Sequence, residues 1–460
     1  MNDKIPVLLK RNTKIEKELF SLMETLFPIC RSITGNGVRQ TLKILKKEIN
    51  LKITEVPSGT KVFDWKIPNE WNIKDAYVKD SSGKRIIDFK KSNIHVLNYS
   101  IPINKKITSN SLKKHLYTLP EKPNSVPYVT SYYKKNWGFC VTHNSLDSFS
   151  EDHYDVCINS SLKKGSLTYG EYLKKGKVSD EILISTYVCH PSLCNDNLSG
   201  VVVATILAKL LSKVETYFSY RFLFIPETIG SITWLSKNKK NLNKIKAGLV
   251  LSCVGGNEIY TYKKTRENDS VIDELVTNIL KKSNKLFQIK DYFPYGSDER
   301  QFCSPGINLP IGVFMRTQYY EFKEYHTADD NLESIKKFAL NDSLIMLYKI
   351  ILELENKKPS FKKPKNQKIL KSKTDVYLNL NPNCEPQLGR RKLYRNISKS
   401  RLVDKNDSEN LLELSICWIL NLSDGFHSLK EISKKSNIDL KIFQRTSKLL
   451  LEKKLLKKIY

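Results

Sequence analysis

Metal-binding side chains follow several predicted strands between residues 180 and 330. His190 and Asp196 come after the apolar run ILISTYV, and Glu227 ends the run RFLFI. Open α/β sheets place their sites beyond the carboxyl ends of the strands. Imidazole and carboxylate ligands suit Zn²⁺, and a nearby unligated glutamate can serve as a general base, so the sequence predicts a metal-dependent hydrolase. Further candidates lie in the segments GLVLSCVGG, YGSDERQF and EYHTADDN: Cys253, Asp298, Glu299 and His326.

Asp196 has a second interpretation, because it lies close to the start of a predicted helix near Leu198. A carboxylate at a helix N-terminus is electrostatically favoured. Asp196 could therefore cap the helix, and His190 would then be an ordinary loop histidine. His326 favours the metal interpretation, since it is a second histidine with acidic neighbours in a chain that has only seven histidines.

Glu227 leaves a buried strand at Pro226, so we expect its carboxylate in a crevice. A base that activates a metal-bound water belongs in that position. The alternative is a structural ion pair with Arg300 or Arg316. Both arginines are also candidate substrate-binding residues.

Aromatic and cationic side chains before residue 140 are candidate substrate contacts. Arg31 lies beside the Gly35–Asn36–Gly37 break and is a candidate carboxylate anchor. Tyr133 and Trp137 lie in the run SYYKKNWGFC, where they are either substrate contacts or core aromatics of a β-rich module.

The elements that must position these residues change character along the chain. Two amphipathic helices are predicted over 14–50, followed by short β-rich runs with Pro, Gly, Asn and Asp turns. From 180 to 355 strands alternate with helices, which predicts an α/β fold with a mostly parallel sheet covered by helices. The predicted domains are a metal-hydrolase core (1–55 and 175–355), an inserted β-rich domain (56–174), a Lys- and Pro-rich linker (356–374) and a winged helix-turn-helix (375–460).

Composition narrows the class of protein. With 460 residues, 40% of them hydrophobic, the chain is expected to form two or three globular domains. No segment approaches the ~20 apolar residues of a membrane span, and MNDKIPVLLKRNTKIEKELF has no apolar h-region, so a cytoplasmic location is expected. The nine cysteines include no CxxC pair, which argues against a disulfide framework or a cysteine-rich zinc module.

The net charge of +29 has two interpretations. A strongly basic surface attracts nucleic acid, anionic lipid or anionic glycans. However, the excess is mostly lysine dispersed along the whole chain, which an AT-rich genome produces without any polyanion partner.

The segments CHPSLCNDNLSG, PETIGS, SDERQF and YHTADDN resemble the metal motifs of the zinc aminopeptidase superfamily. The order and spacing agree over about 180–350. FPICRSITGNGVRQTL, SVPYVTSYYKKNWGFC and GSLTYGEY further resemble a bacterial family of aminopeptidase-like proteins with an inserted β domain and a C-terminal winged helix. Genes of that family often accompany surface-polysaccharide biosynthesis genes, so the resemblance implies a role in surface-glycan metabolism.

The resemblance also implies roles for individual residues. His190 and His326 would each ligate a metal, Asp196 would bridge the two ions, and Glu227 would be the general base. Two family ligands are replaced here, the second glutamate of a Glu-Glu pair by Thr228 and a later aspartate by Cys253. One zinc held by the two histidines and Asp196 is therefore expected rather than two, with a Cys253 thiolate as an additional candidate ligand.

The predicted function is zinc-dependent hydrolysis of an amide bond in a small-molecule or glycan-conjugate substrate, with homo-oligomerisation open. One alternative is a DNA-binding regulator that reads duplex DNA through the winged helix and keeps a degenerate enzyme core. A second alternative is a non-catalytic scaffold for glycan assembly, which would hold zinc without turnover.

Overall fold

The computed structural model describes residues 10–256, 259–361, 374–393 and 408–459. The helices are α1 (Thr13–Leu26), α2 (Asn36–Glu48), α3 (Ser109–Lys113), α4 (Ser199–Leu211), α5 (Ile229–Asn238), α6 (Val271–Lys281), α7 (Glu299–Phe302), α8 (Lys337–Lys357), α9 (Ser408–Leu422), α10 (Leu429–Ser436) and α11 (Leu440–Glu452). The strands are β1 (Lys52–Pro57), β2 (Lys61–Val62), β3 (Trp65–Lys66), β4 (Glu70–Lys79), β5 (Arg85–Asp88), β6 (Ile103–Thr108), β7 (Leu116–Tyr117), β8 (Phe139–Cys140), β9 (His153–Lys163), β10 (Ser166–Lys174), β11 (Glu181–Tyr187), β12 (Ser219–Ile225), β13 (Ile245–Leu251), β14 (Tyr260–Lys263), β15 (Phe287–Lys290), β16 (Ile311–Arg316), β17 (Val376–Asn379), β18 (Asp424–Ser428) and β19 (Leu456–Lys458).

An eight-stranded sheet with the order β1-β10-β12-β11-β13-β16-β14-β15 forms the centre of the molecule. The neighbouring strands β12, β11, β13 and β16 are parallel, and β10 and β14 run antiparallel to them. Strand β11 is buried along its whole length, as expected when both faces of a parallel sheet are covered. The predicted α/β fold with a mostly parallel sheet is confirmed.

Apolar clusters cover both faces of this sheet. One face packs against a cluster that includes residues of α1, α2, α4, α6 and α8, and the other packs against α5 and the first turns of the insert. The stretch Cys194–Leu211, which contains α4, is the one helical segment among the described residues long and apolar enough to cross a bilayer. Because 89% of that stretch is buried, we describe it as a core helix.

The inserted β-rich domain has its own four-stranded sheet, with the order β5-β4-β9-β6. Its boundaries differ from the expected 56–174, because β1 continues to Pro57 and β10 pairs between β1 and β12 of the large sheet. The insert therefore occupies residues 58–165. Sequence patterns reveal that β10 is a strand, but the partner of a strand is decided by long-range packing.

The C-terminal module combines α9, α10 and α11 with a three-stranded sheet of order β18-β17-β19, so the predicted winged helix-turn-helix is confirmed. The module packs on the core through buried polar contacts, including an ion pair of 2.6 Å between Arg266 and Asp424. Helix α8 continues to Lys357, two residues into the predicted linker, and 362–373 of that linker lie outside the described residues.

Candidate metal centre

Three of the predicted ligands converge beyond the carboxyl end of β11. His326 Nε2 lies 3.0 Å from Asp196 Oδ2, and His190 Nε2 lies 3.9 Å from the same oxygen. One ligand atom from each residue falls within 4.8 Å of the others, a spacing that accommodates a metal ion. His190, Asp196 and His326 thus form a group with the donor chemistry that Zn²⁺ prefers.

Asp196 is held in place by a hydrogen bond from a tyrosine to its carboxylate and by a hydrogen bond from its own N–H group to Asp330. Asp196 lies in the turn Cys194–Leu198, where Asp196 and Asn197 have non-helical φ and ψ angles, and the peptide bond that follows Asp196 is cis. Its Oδ1 accepts a hydrogen bond of 2.5 Å from the Tyr187 hydroxyl, and its backbone N–H donates to Asp330 at 2.9 Å. The second carboxylate oxygen is left to face the two histidines.

Arg31 supports the loop that carries His190. The Arg31 guanidinium donates from Nε to the His190 carbonyl at 2.9 Å and from Nη1 to the Leu26 carbonyl at 2.6 Å. Only 1% of the residue is exposed, and this burial lowers the pKa of the guanidinium to about 10. Its Nη2 has no hydrogen-bond partner among the described residues, so a contact with substrate at that atom stays a prediction.

His326 Nε2 faces Asp196 Oδ2 at 3.0 Å, and neither ring nitrogen makes a hydrogen bond of good geometry among the described residues. Its ring stacks on Tyr325 with the centroids 4.0 Å apart and meets Tyr128 edge-on at 5.4 Å. The side chain is 14% exposed, and a largely buried imidazole without well-formed hydrogen bonds is costly unless a ligand satisfies its nitrogens. An imidazole in this environment fits a metal ligand.

The protonation states of the group also fit a metal. Burial lowers the pKa of His190 to about 4. Burial alone would raise the pKa of Asp196, but the neighbouring histidines and the Tyr187 hydroxyl outweigh it and lower the pKa to about 2. At neutral pH both side chains are therefore deprotonated, which is the form that metal binding requires.

Glu227 faces the group from the end of β12. Its Oε2 lies 3.9 Å from His190 Nε2, and 24% of its side chain is exposed. Burial, with the nearby Asp298 and Asp196 carboxylates, raises the pKa of Glu227 well above its usual value. A carboxyl group of raised pKa beside a metal group is suited to accept and return a proton.

Thr228 and Asp298 shape the turn after Glu227. Thr228 has a φ of 62°, a left-handed conformation that is uncommon for a β-branched residue. Asp298 Oδ1 accepts hydrogen bonds from the Thr228 N–H at 2.7 Å and from Ser231 Oγ at 2.8 Å. The structure thus gives Asp298 the task of fixing the backbone next to Glu227, while burial raises the pKa of its carboxyl to about 7.

The two cysteines near the site are placed differently. Cys253 is fully buried at the end of β13, where its N–H donates to Asn197 Oδ1 at 3.1 Å, and it belongs to neither ligand group found among the described residues. Cys189 instead joins His190 and Glu227 in a second group of potential ligand atoms. Cys189 was not among the candidates from the sequence, although it directly follows the apolar run ILISTYV.

The remaining candidates lie in other contacts. Glu299 forms a buried ion pair of 2.5 Å with Lys263, and Arg316 lies 3.2 Å from the Tyr260 hydroxyl. Trp137 stacks on a histidine of the insert, with the ring centroids 3.7 Å apart. Arg300 donates to Thr228 Oγ1 at 3.4 Å. Among these candidates, Arg300 therefore contacts the turn that follows Glu227.

The insert contributes an aromatic wall beside the ligand group, formed by two tyrosines that were not among the candidates from the sequence. Tyr128 lies 5.3 Å from the His190 ring, its hydroxyl is 3.1 Å from that of Tyr132, and its backbone N–H donates to the His326 carbonyl at 2.8 Å. Tyr133 is 40% exposed and packs edge-on against Trp65. Tyr132 and Tyr133 lie in a turn, so the alternation of a strand does not predict the direction of their side chains.

Comparisons with known proteins agree with this architecture. Residues 20–357 match the family described as domain of unknown function (DUF4910), and 375–458 match a winged helix-turn-helix family. A protein of Clostridium acetobutylicum named "Putative polysaccharide biosynthesis protein with aminopeptidase-like domain" is 48% identical over 99% of each chain.

Solved structures show the same relationship. A crystal structure described as a "putative peptidase" from Clostridium acetobutylicum has 47% identity and a TM-score of 0.76, and covers 99% of this chain and 100% of its own. A zinc aminopeptidase from Bacillus subtilis has 14% identity and a TM-score of 0.54, and covers 75% of this chain and 96% of its own, which shows a shared fold. The chain therefore belongs to the family of aminopeptidase-like proteins that join a DUF4910 domain to a C-terminal winged helix-turn-helix.

Proposed function

We propose that the chain is a zinc-dependent hydrolase of an amide bond. The observation that carries the proposal is the convergence of His190, Asp196 and His326, with Glu227 beside them. These three residues would hold a zinc ion, which would supply Lewis acidity and lower the pKa of water.

Glu227 is the proposed general base. Its carboxylate takes a proton from the water as the water oxygen bonds to the carbonyl carbon, and it delivers that proton to the nitrogen as the C–N bond breaks. Asp298 orients the turn through the Thr228 N–H, and Tyr128 with Tyr132 forms a wall beside the ligands that limits water around the reacting carbonyl.

The proposed substrate is an acylated amino sugar or an amino-acid–glycan conjugate in surface-glycan metabolism. The name of the 48% identical relative, which refers to polysaccharide biosynthesis, supports this substrate class.

All nine cysteines are free thiols, which supports a reducing, cytoplasmic location.

Metal analysis of the purified chain tests the proposal. We expect about one zinc ion per wild-type chain, and loss of that zinc in His190→Ala and in His326→Ala, because two remaining ligands rarely retain an ion. His153→Ala, at an exposed histidine of β9, is the matched control and should keep its zinc. A wild-type chain without zinc, or full occupancy in either ligand variant, contradicts the proposal.

A second candidate function is binding of duplex nucleic acid through α11. The polar side chains at positions 441, 444, 445 and 448 are exposed along this helix and include three cations: Lys441, Gln444, Arg445 and Lys448. Cations at this spacing can follow a phosphate backbone. Binding that weakens with added salt, and weakens further in Arg445→Ala, supports this function, and salt-independent or unchanged binding contradicts it.

A further inference from the structure

Asp330 accepts hydrogen bonds from three consecutive N–H groups of the turn that carries Asp196. The Asp330 backbone carbonyl accepts from Cys194 at 2.9 Å. Its two carboxylate oxygens accept from Asn195 at 2.7 Å and from Asp196 at 2.9 Å. One fully buried residue therefore fixes the start of the turn Cys194–Leu198.

The same residue joins two ligand loops that are distant in sequence. Asp330 follows His326 by four positions, and its own N–H donates to the Thr327 carbonyl at 3.1 Å. A shift of Asp330 therefore moves the His326 loop and the Asp196 turn relative to each other. Three hydrogen bonds across 134 to 136 positions of chain resist such a shift.

The other groups of the turn point away from this contact. Asn195 Oδ1 accepts from the Gly255 N–H at 2.9 Å, and Asn197 Nδ2 donates to Thr186 Oγ1 at 2.9 Å. These amides tie the turn to the ends of β13 and β11, on the side of the sheet. Asp330 is the residue that ties the turn to the loop of the other histidine ligand.

We propose that Asp330 is a positioning residue that sets the Asp196 carboxylate at the correct distance from His326 for metal binding. The inference rests on the proposed zinc site. Groups that hold metal ligands in place typically change metal affinity 10–100-fold when they are replaced. Asp330 does not touch the ligand atoms, so its effect must pass through the backbone of the turn.

Glu355 provides a matched comparison within the same chain. It is also a buried carboxylate that accepts two consecutive backbone N–H groups, from Tyr217 at 2.5 Å and from Phe218 at 3.2 Å. It lies on α8 and supports the start of β12, at the opposite end of that strand from Glu227. A purely structural role for Asp330 would make the two carboxylates equivalent in their effect on zinc.

The experiment compares zinc affinity and apoprotein stability in the full-length chain. Zinc is titrated against a competing chelator in wild type, Asp330→Asn, Asp330→Glu and Glu355→Gln, and thermal unfolding of each apoprotein is recorded. We expect zinc affinity to fall about 10–100-fold in Asp330→Asn, because the amide nitrogen would face an N–H donor. Glu355→Gln should lose apoprotein stability but keep the wild-type zinc affinity.

Asp330→Glu keeps both acceptor oxygens and lengthens the side chain by one methylene, so it tests position when Asp330→Asn does not fold. Its cobalt-substituted form should show an altered visible spectrum and weaker zinc binding. Wild-type affinity in the folded Asp330 variants, or an equal loss of affinity in Glu355→Gln, overturns the inference. A wild-type chain that takes up no zinc overturns the proposed function itself, which distinguishes the two failures.

Discussion

Glu227 and the ligands beside it were accessible to sequence reasoning because their chemistry is local. An imidazole or a carboxylate directly after an apolar strand is unusual enough to be noticed, and the parallel strands β11 and β12 then bring His190 and Glu227 to within 3.9 Å. The structure adds the contacts that hold these side chains, most of which come from residues with no distinctive local pattern.

The first prediction concerns Glu227→Gln. The substitution keeps the size of the side chain and removes the basic oxygen, so zinc content should not change while turnover of an amide substrate falls by about 10²–10⁴-fold. Zinc analysis and single-turnover rates on the same preparation measure both effects. Glu333→Gln, at an exposed glutamate, is the control. Release of zinc would make Glu227 a ligand, and an unchanged rate would make it structural.

Asp330 shows what sequence reasoning cannot reach at this scale. The segment EYHTADDN offers two adjacent aspartates, and only the fold decides that Asp329 is exposed while Asp330 is fully buried. The three N–H groups that donate hydrogen bonds to Asp330 belong to residues about 135 positions earlier in the chain. Similarly, Cys189 enters the ligand region because the strand ends beside it, which the residue type alone does not indicate.

Helix α2 is joined to β1 and β4 through one arginine. Arg39 donates to Glu55 at 2.6 Å and from Nη1 to Glu70 at 2.9 Å, and so connects the core helix to the first long strand of the insert. Burial alone would raise the pKa of Glu70, but hydrogen bonds from Arg39 and from the Ser166 N–H outweigh it and lower the pKa to about 2.

The second prediction is a pH dependence of stability that depends on Glu70. Because the pKa of Glu70 is lower in the folded protein than in the unfolded chain, its stabilising effect is present above about pH 4.5 and is lost as the pH falls towards 2. Glu70→Gln should therefore destabilise the protein at neutral pH. It should also make the free energy of unfolding depend less on pH between pH 4.5 and 2. Denaturant unfolding at several pH values measures this slope. Glu24→Gln, at an exposed position of α1, should keep the wild-type slope.

Elements were predictable where their pattern is repeated. The alternation of strands and helices after residue 180 gave the parallel sheet, and apolar spacing gave α1 and α2. Strand β10 was assigned to the insert because its neighbours in sequence are strands of the insert. Its pairing with β12, from Gly170 opposite Phe224 to Lys174 opposite Tyr220, depends on partners about 50 positions away.

At the scale of the whole molecule, Glu385 joins the C-terminal module to the core and the insert. Its carbonyl accepts from Trp65 Nε1 at 2.7 Å, and its N–H donates to Gln301 Oε1 at 2.8 Å. Its carboxylate pairs with Arg300 at 3.1 Å, and Arg300 also donates to Thr228, the residue after the proposed base. Arg300 therefore connects the module to the turn of the proposed base.

The third prediction is that Glu385→Gln weakens this connection. Both side chains of the Arg300 pair are only 13% exposed, so loss of the charge should lower the free energy of unfolding by about 1–3 kcal/mol. Turnover should fall while zinc content stays constant, because the contact of Arg300 with Thr228 lies at the turn of the proposed base. Thermal unfolding, zinc analysis and rates measure the three effects.

The matched control for that pair is Glu215→Gln. Glu215 lies 3.6 Å from Lys177, and their side chains are 87% and 68% exposed, so little change in stability is expected. If both variants behave alike, the Glu385 contact carries no coupling between the module and the site.

The pairing of Pro57 with Ser166 makes the whole insert a single extended hairpin loop. Its two ends leave the large sheet on adjacent antiparallel strands, so a tight turn between β1 and β10 would close the same ladder. Closing a longer loop costs only about 0.6 kcal/mol for each doubling of its length, so such a position tolerates large additions. The tyrosine wall at the metal group is therefore carried by a segment whose length β1 and β10 do not restrict, and whose contact with the ligands is made far from both strand ends, where the Tyr128 N–H donates to the His326 carbonyl.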